Sequence, residues 1–477
     1  MKKIYIIITI LAATIISLTG CKKVVEDQQP QNSISASSLT DPASIRSALL
    51  GSYNGLLSAN YMGLRYFIFA DLYADNITEV GTFPSFAEIY NRQISAGNVE
   101  VQNMWTTIYS AINRVNTVIA AANANNATTF TDKNQVIAEA KVLRAYHYFN
   151  LLRYWGGNEK GYNQGPDASG KSWGVPIRTA PTLTPNDAAP IARSSEDSVW
   201  LQILADLDPA QVIANLPSSH PANTSYNWRI DQKVANALLS RVYLYRGNWA
   251  GAEASATTVI NTAGQSLLPT YASLYGNVGP KQETIWTLPF DPTNQNSVAF
   301  FYFTTGRGGR NEISASTGLN NAHEIGDVRK RVNYTTAADV ALAPAAKTLK
   351  YTRVATGDDY IPQIRLAEVY LIRAEARARQ GNTIGASADL NVVRNRAGLT
   401  NTAAITQADI LMAILNERRV ELAHEGHRFF DLRRYQRLDL IGIDITNLTT
   451  SGYKCRWPIP QQELLNSGSI LSPNPGY

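Results

Sequence analysis

The chain has 477 residues, 44% of them hydrophobic, which is enough to fold around a sizeable core. Its formal charge of +5 is small, and its lysines and arginines are interleaved with acidic residues, which argues against a nucleic-acid-binding protein. Cys21 and Cys455 are its two cysteines; because Cys21 has a separate use, described next, we expect no intramolecular disulfide.

The first 20 residues are predicted to be a lipoprotein signal peptide. Lys2 and Lys3 precede an apolar run at residues 4–18 that is shorter than a membrane span and ends in the lipobox letters LTGC at residues 18–21. In such a sequence the Cys21 thiol receives a diacylglycerol, and a further acyl chain such as palmitate makes the anchor stable. Loss of Lys2 and Lys3 lowers the formal charge from +5 to +3.

Residues 21–40 are predicted to be a lipidated flexible tether. The segment after Cys21 is polar and nearly free of large apolar side chains, so it cannot bury enough surface to fold alone. About 18 such residues reach roughly 25 Å as a random coil. The tether would therefore let a globular domain at residues 41–477 sit off the lipid surface.

A long amphipathic helix is predicted at residues 131–155, where apolar side chains recur every three or four positions. Thr131 is the expected cap at its start, and Gly156 is the expected end. His147 lies on the apolar stripe, where a lone histidine is more often a hydrogen-bonded core residue than a ligand.

A second helix is predicted at residues 361–381, with Pro362 in its first turn and small alanines that let a partner helix approach closely. Glu375 and Arg379 are spaced one helical turn apart, which predicts an ion pair on the solvated face of this helix.

Two segments repeat the pattern G-N-x-x-G-A-x-A after a helical stretch, at residues 243–254 and 376–388. A helix that stops at a glycine and restarts within a few residues is typical of a tetratricopeptide-type hairpin. The long segment at residues 276–351 separates the repeats, so they do not form a tandem array. This segment and residues 156–193 are predicted to be loops with a few short strands, where binding surfaces usually lie.

The C-terminal run HEGHRFFDLRR at residues 424–434 contains two histidines, but their i,i+3 spacing and the intervening Gly426 do not fit a zinc-peptidase helix. Thr406 and Asp409 predict a capped helix before this run, on which Glu417 and Glu421 lie one turn apart. Neighbouring arginines would hold both carboxylates ionised, which favours structural ion pairs over acid–base catalysis. These arginines are Arg418, Arg419, Arg428, Arg433 and Arg434. We expect no metal, cofactor or catalytic residue, because the chain contains none of the usual motifs.

Five features together resemble the SusD/RagB family of Bacteroidetes outer-membrane lipoproteins: the lipobox cysteine and four sequence runs. The runs are RAYHYFNLLRYWGG followed by GVPI, then IRLAEVYLIRAEA, NERRVELAHEGHRFFDLRR and WPIPQQELLNSGSILSPNPGY. The resemblance implies a mostly α-helical, SusD-like fold, with tetratricopeptide-like hairpins as a scaffold for a loop-rich binding face with short strands. It also implies one globular domain at 41–477, with an N-terminal part at about 41–265 and a C-terminal part at about 266–477.

The family's role implies a non-catalytic lipoprotein at the cell surface that captures a nutrient glycan and delivers it to a SusC-like TonB-dependent transporter. Three alternatives stay open: a peptide-capturing lid of the RagB type, a scaffold lipoprotein of the outer membrane, and a hydrolase whose site lies in the loops. Lys22 and Lys23 follow Cys21, whereas surface-exposed members often carry acidic residues there.

Sugars are recognised by aromatic rings and by a few amides, carboxylates or arginines, and two loop segments supply both kinds of group. Trp105, by contrast, is expected in the core because it has helical spacing with apolar neighbours. The candidate ligand-binding residues are Phe83, Phe86, Tyr90, Asn91, Tyr275, Trp286, Phe301, Tyr302, Arg307, Arg310 and Asn311.

Overall fold

A computed structural model describes residues 38–167, 169–223, 227–262, 264–275, 282–339, 345–447 and 450–477. The predicted signal peptide, the lipid-attachment residue Cys21 and nearly all of the predicted tether lie outside these ranges. Among the described residues, no helix has both the length and the apolar character needed to cross a membrane.

The fold is mostly α-helical, as predicted. The α-helices of the described ranges are α1 Pro42–Asn54, α2 Arg65–Leu72, α3 Pro84–Tyr90, α4 Val99–Ala124, α5 Lys133–Trp155, α6 Glu196–Asp206, α7 Gln232–Arg246, α8 Trp249–Ile260, α9 Val298–Tyr302, α10 Thr317–Ala322, α11 Lys330–Asn333, α12 Leu366–Arg379, α13 Thr383–Arg396, α14 Gln407–Glu421, α15 Arg428–Arg434 and α16 Gln461–Asn466. The strands are β1 Ile77–Glu79, β2 Thr284–Leu288, β3 Ile313–Ala315 and β4 Ile361–Arg365.

The four strands form two antiparallel pairs, β1 with β3 and β2 with β4. The second pair corrects the predicted helix at 361–381, because this segment starts with strand β4 and the helix begins only at Leu366. Pro362 therefore lies in a strand, opposite Thr287. The partner strand is distant in the chain, so a local apolar spacing could not reveal the pairing.

The repeated pattern forms two helical hairpins, α7–α8 and α12–α13, as predicted. Gly247 and Gly381 follow the first helices with φ of +73° and +82°, where glycine is favoured. Asn248 and Asn382 then cap the second helices by accepting the N–H of Gly251 and Gly385 at 3.0 and 2.9 Å. A Cβ on either of these last two glycines would lie 2.7 Å from the capping amide, which explains the G-N-x-x-G spacing.

The two hairpins pack against each other through α8 and α12, although they are far apart in the chain. Arg377 on α12 pairs with Glu253 on α8 at 2.8 Å, and Arg373 reaches the Thr257 hydroxyl at 3.3 Å. The predicted i,i+4 pair of Glu375 and Arg379 is present at 3.9 Å, but its predicted location on a solvated face is wrong. The Glu375 side chain is fully buried and pairs more closely with Arg434.

Helix α5 runs through the main core, and every residue from Val142 to its end at Trp155 is buried. The helix begins at Lys133 after Asp132, so Thr131 is not its cap, and it ends before Gly156 as predicted. His147 is a buried core residue whose Nδ1 is 3.1 Å from the Tyr61 hydroxyl, and burial lowers its pKa to about 3. Trp105 is also buried, in contact with Trp155.

A buried network of opposite charges joins the C-terminal elements, and we call it the charge network. Glu421 at the end of α14 accepts hydrogen bonds from Arg329, Arg365 and Arg396, which come from three different segments. Burial alone would raise the pKa of Glu421, but these three guanidinium groups lower it below its usual value. The other members are Glu283, Asp327, Lys350, Arg394, Glu417 and Glu425.

The network confirms that Glu417 and Glu421 form structural ion pairs, but it corrects their partners. It also corrects the expected ionisation of Glu417, because burial raises the pKa of this carboxyl despite the nearby Arg329. The five arginines predicted to surround them pair elsewhere: Arg418 with Asp431, Arg419 and Arg428 with Asp75, Arg434 with Glu375 and Asp431, and Arg433 with backbone carbonyls. Several of these contacts connect α14 and α15 to the N-terminal half of the chain.

Replacement of Glu421 by glutamine is expected to lower the free energy of unfolding by about 3–5 kcal/mol, because three buried guanidinium groups lose their shared counter-charge. Urea unfolding followed by circular dichroism measures the change. Glu324→Gln is the control, since Glu324 is 56% exposed where it pairs with Arg394 and should contribute less than about 1 kcal/mol. Equal losses in the two variants would contradict a central role for the network.

Asp71 on α2 gives a pH-dependent prediction. Its buried carboxylate accepts the N–H of Gly426 at 3.1 Å, and burial raises its pKa to about 7. The folded protein therefore holds a proton that the unfolded chain releases near pH 4, so this group's contribution to stability falls as the pH rises toward 7.

Asp71→Asn keeps an acceptor for Gly426 but cannot ionise. Between pH 5 and pH 8 the free energy of unfolding of the variant, relative to that of the wild type, should rise by about 2–3 kcal/mol. The reason is that the wild type loses about 1.4 kcal/mol for each pH unit over which Asp71 is protonated only in the folded state. Urea titrations of both proteins at the two pH values test this. A difference that does not change with pH would show that Asp71 does not titrate in this range.

Candidate ligand-binding site

Two of the predicted ligand segments meet on the surface, around the short helix α9. Phe301 on α9 stacks on Phe86 of α3 with ring centroids 5.5 Å apart, and it also contacts Phe83 at 6.1 Å. Phe300, the preceding residue, is 39% exposed, and its ring lies edge-on to Phe301. We call the surface formed by Phe83, Phe300, Phe301 and Arg310 the aromatic patch.

Arg310 covers one side of this patch. Its guanidinium lies 4.0 Å from the centre of the Phe83 ring, and its Nε donates to the Glu312 carboxylate at 2.8 Å. The backbone N–H groups of Arg310 and Glu312 donate to the carbonyls of Phe300 and Phe301, so the chain after α9 folds back onto the helix. The cation is thus fixed beside the rings while its side chain stays 45% exposed.

Glu312 connects the two segments of the patch. The backbone N–H groups of Thr82 and Phe83 donate to its carboxylate at 2.8 and 3.3 Å, and β3 begins at the next residue. Gly81 is required for this approach, because a Cβ at that position would collide with the Glu312 carboxylate. The β1–β3 pairing therefore brings α3 and α9 together.

The interior side of α9 is held by the C-terminal HEGHRFFDLRR run. Tyr302 donates to His424 Nδ1 at 2.7 Å, and the Nε2 atom of His424 is 2.9 Å from the Asn333 carbonyl. Both ring nitrogens of His424 therefore have protein partners, and burial lowers the pKa of this histidine to about 3. His424 thus holds the interior side of α9. Its two hydrogen bonds account for this histidine as a structural residue.

The structure corrects three of the predicted ligand residues. Phe86, Trp286 and Tyr302 have no exposed surface, so they present no ring face to a ligand. Trp286 packs edge-on against Tyr146 in the core and donates its indole N–H to the Trp228 carbonyl. Phe86 lies beneath the aromatic patch.

Five predicted ligand residues lie outside the patch as defined. The Tyr275 hydroxyl donates to Glu425 at 2.7 Å, so this tyrosine belongs to the charge network. Tyr90 packs against the core, and Asn91 is exposed just after α3. Arg307 is exposed in the turn after α9, and Asn311 accepts a hydrogen bond from Lys347 at 2.7 Å.

Two residues of this site were not predicted, Phe300 and Glu312. The sequence holds a signal for Phe300: the apolar residues 298, 299 and 302 fall on one side of a helical turn, which leaves residue 300 on the other. Glu312 could not be predicted, since its role depends on the pairing of β1 with β3, two segments from different halves of the chain.

Rings beside a cation and a carboxylate suit a ligand with alternating apolar and hydroxyl-bearing faces. The rings can cover C–H groups, and the exposed Arg310 guanidinium can donate to hydroxyls, whereas Glu312 is buried and serves to hold Arg310 in place. The states of Glu312 and Glu79 decide whether this surface could perform acid–base catalysis. The Glu312 carboxylate already accepts from Arg310 and two backbone N–H groups, whereas burial and the charge of Glu312 raise the pKa of nearby Glu79.

Comparison with known proteins places the chain among related sequences. A family model described as "SusD family" matches residues 340–477, and one described as "Starch-binding associating with outer membrane" matches residues 27–244. The chain is 25% identical to SusD-like protein P25 of Formosa agariphila, over 97% of this chain and 98% of that protein.

Solved structures show the same fold. A SusD superfamily protein from Bacteroides fragilis superposes with a TM-score of 0.76 at 24% identity, covering 90% of this chain and 99% of that one. A laminarin-binding SusD-like protein superposes with a TM-score of 0.70 at 22% identity, covering 92% and 100% of the two chains. From its sequence matches and its fold, this chain belongs to the SusD/RagB family.

Proposed function

We propose that this protein is a non-catalytic binding protein that captures an oligosaccharide at the aromatic patch. The observation that carries the proposal is the exposure of Phe300 beside Arg310 on a rigid support, in a surface formed by two distant chain segments. Phe300 adjoins Phe301, which contacts Phe83, so the rings form one contiguous apolar surface beside a cation, and contiguous apolar surface bordered by polar groups is typical of binding sites. The names of the related proteins, which refer to starch and laminarin, favour a glucan among possible ligands.

Non-catalytic binding is the better interpretation of the carboxylates at the patch. A glycosidase needs one carboxyl group to donate a proton and a second to act as base or nucleophile. The raised pKa of Glu79 suits the first task, but Glu312 has its oxygens occupied by Arg310 and by two backbone N–H groups. Because Glu79 alone fits one of the two roles, a binding assay should also test for cleavage products of the oligosaccharide.

The proposed location is the outer face of the outer membrane, with an acyl anchor on Cys21 and residues 22–40 as the tether. The captured ligand would then pass to a SusC-like TonB-dependent transporter, in keeping with the family assignment. Support for the anchor comes from the lipobox letters LTGC, and support for the membrane comes from the family description that matches residues 27–244.

Phe300→Ala and Arg310→Ala are each expected to weaken oligosaccharide binding by about five- to tenfold, because each removes roughly 1 kcal/mol of contact free energy. Calorimetry of a soluble chain without the anchor, residues 22–477, with maltohexaose and laminarihexaose measures the affinities, and chromatography detects any cleavage. Ile384→Ala on α13 is the control, since Ile384 is 86% exposed but lies outside the patch.

Unchanged affinity in both variants would remove the patch as the binding site. Cleavage products that disappear in a Glu79→Gln variant would replace binding with hydrolysis. Heat with mixed oligopeptides and none with either hexaose would favour the peptide-capturing alternative.

Cys21→Ala is expected to abolish incorporation of labelled palmitate and to release the protein from the membrane fraction, because the acyl chains supply the anchoring free energy. Cys455→Ala is the matched control: Cys455 is the other cysteine of the chain and is fully buried. Labelling that survives in Cys21→Ala would contradict the proposed anchor.

A further inference from the structure

A large open cavity lies away from the aromatic patch, between helices α1 and α4, and we call it the α1–α4 groove. Its volume is about 1110 Å³, which is sufficient for several sugar rings. Residues of the segment 176–191 also line the groove, as do Glu463 and Asn466 on α16. The groove and the patch share no lining residue.

The groove surface of α4 has an unusual composition. This helix of 26 residues contains two charged residues, Glu100 and Arg114, whereas the outer face of a surface helix is usually rich in lysine and glutamate. Hydroxyl and amide side chains replace them at Thr106, Ser110, Asn113 and Thr117, spaced three or four positions apart along one face. The helix thus presents a row of short, neutral hydrogen-bonding groups to the groove.

Several of these polar groups have bonding capacity to spare. The Asn113 carbonyl oxygen accepts the N–H of Thr182 at 2.7 Å, which leaves its NH₂ group without a partner among the described residues. The Ser110 hydroxyl and the Arg114 guanidinium also make no hydrogen bond within the described ranges, and both are exposed. Such groups are available to a ligand.

The groove carries little net charge. Its charged lining residues are Arg114, Arg178 and Glu463, which leaves an excess of one positive charge. The Arg178 guanidinium donates to the carbonyls of Asp187 and Ala189, which occupies its donors but leaves its charge in place. Burial raises the pKa of Glu463, and a hydrogen bond from Trp105 partly offsets that rise. An excess of one positive charge is small beside the row of neutral hydroxyl and amide groups, so the groove suits a neutral ligand.

The segment at residues 176–191 is held in place by hydrogen bonds to α4. The Tyr109 hydroxyl donates to the Pro176 carbonyl at 2.8 Å, and Asn116 donates to the carbonyls of Arg178 and Ala180 at 2.9 and 3.2 Å. The Tyr109 ring and the exposed Leu183 side chain add apolar surface to the groove. The groove is therefore preformed, which lowers the entropic cost of binding.

We propose that the α1–α4 groove is a second binding site, which takes a neutral oligosaccharide. Hydroxyls and amides of the groove can exchange hydrogen bonds with sugar hydroxyls, and Tyr109 and Leu183 can cover C–H faces. An extended peptide is a poorer fit, because the groove walls are helices and irregular chain and offer no strand edge for backbone pairing among the residues that line it. The proposal goes beyond capture at the aromatic patch and uses it only to choose the sugars for the test.

Gly51 on α1 allows the groove to be filled selectively. A Cβ at this position meets no atom within 4 Å, so a side chain there extends into open groove space. The test compares Gly51→Tyr with the matched control Gly51→Ala in calorimetric titrations of the soluble chain, residues 22–477, with maltohexaose and laminarihexaose. Equal melting temperatures for the two variants would establish that the tyrosine has not unfolded the protein. The double variant Phe300→Ala/Arg310→Ala removes the patch separately.

The wild type is expected to bind at two sites. The patch double variant should retain one of them, and Gly51→Tyr should weaken that remaining binding at least tenfold while Gly51→Ala leaves it unchanged. A single site that is lost completely in the patch double variant would overturn the groove proposal and leave capture at the patch standing.

Binding that is lost in Gly51→Tyr but unaffected in the patch double variant would support the groove and overturn the patch. No heat from either hexaose with the wild type would overturn both. Groove-dependent binding of a tryptic digest of casein, in place of either hexaose, would overturn the proposed ligand class.

Discussion

The contact of one buried carboxylate with three arginines sets the arrangement of the C-terminal half. Glu421 meets Arg329 before α11, Arg365 at the end of β4 and Arg396 at the end of α13. Removing charges from water costs several kcal/mol for each ion, so the network is tolerable only when all its partners are in place. The network therefore favours one packing arrangement of these segments, because few other arrangements would pair every buried charge.

The charge network extends to the aromatic patch through a short run of residues. Glu425 pairs with Lys350 and Arg365, and His424, one residue earlier, has a positive φ of 62°. This turn directs the imidazole toward Tyr302, and Tyr302 fixes the inner side of α9. The outer side of the same helix carries Phe300 and Phe301. The scaffold and the aromatic patch are therefore parts of one connected structure, although the polar network itself is far too buried to meet a ligand.

Local patterns in the sequence predicted the long helices, the two hairpins and the cap at Thr406, because each depends on residues within a few positions of one another. Strand β4 was mistaken for a helix, since Ile361 and Ile364 suit either period and their partner strand is distant. The arginine partners of Glu417 and Glu421 were misassigned for the same reason. In the loops, composition identified the aromatic residues but could not predict their burial. Trp286 in the core and Phe301 at the surface therefore could not be distinguished from the sequence.

The long insertion between the two hairpins affects how the chain folds. Helix α8 packs against α12, which follows it only after strands β2, β3 and β4, so the inner face of α8 stays uncovered until most of the polypeptide is available. Contacts of such high sequence separation slow folding and prolong the exposure of apolar surface. For a chain exported unfolded by the proposed signal peptide, this topology favours assistance by periplasmic chaperones, and truncation after the first hairpin would leave a fragment prone to aggregation.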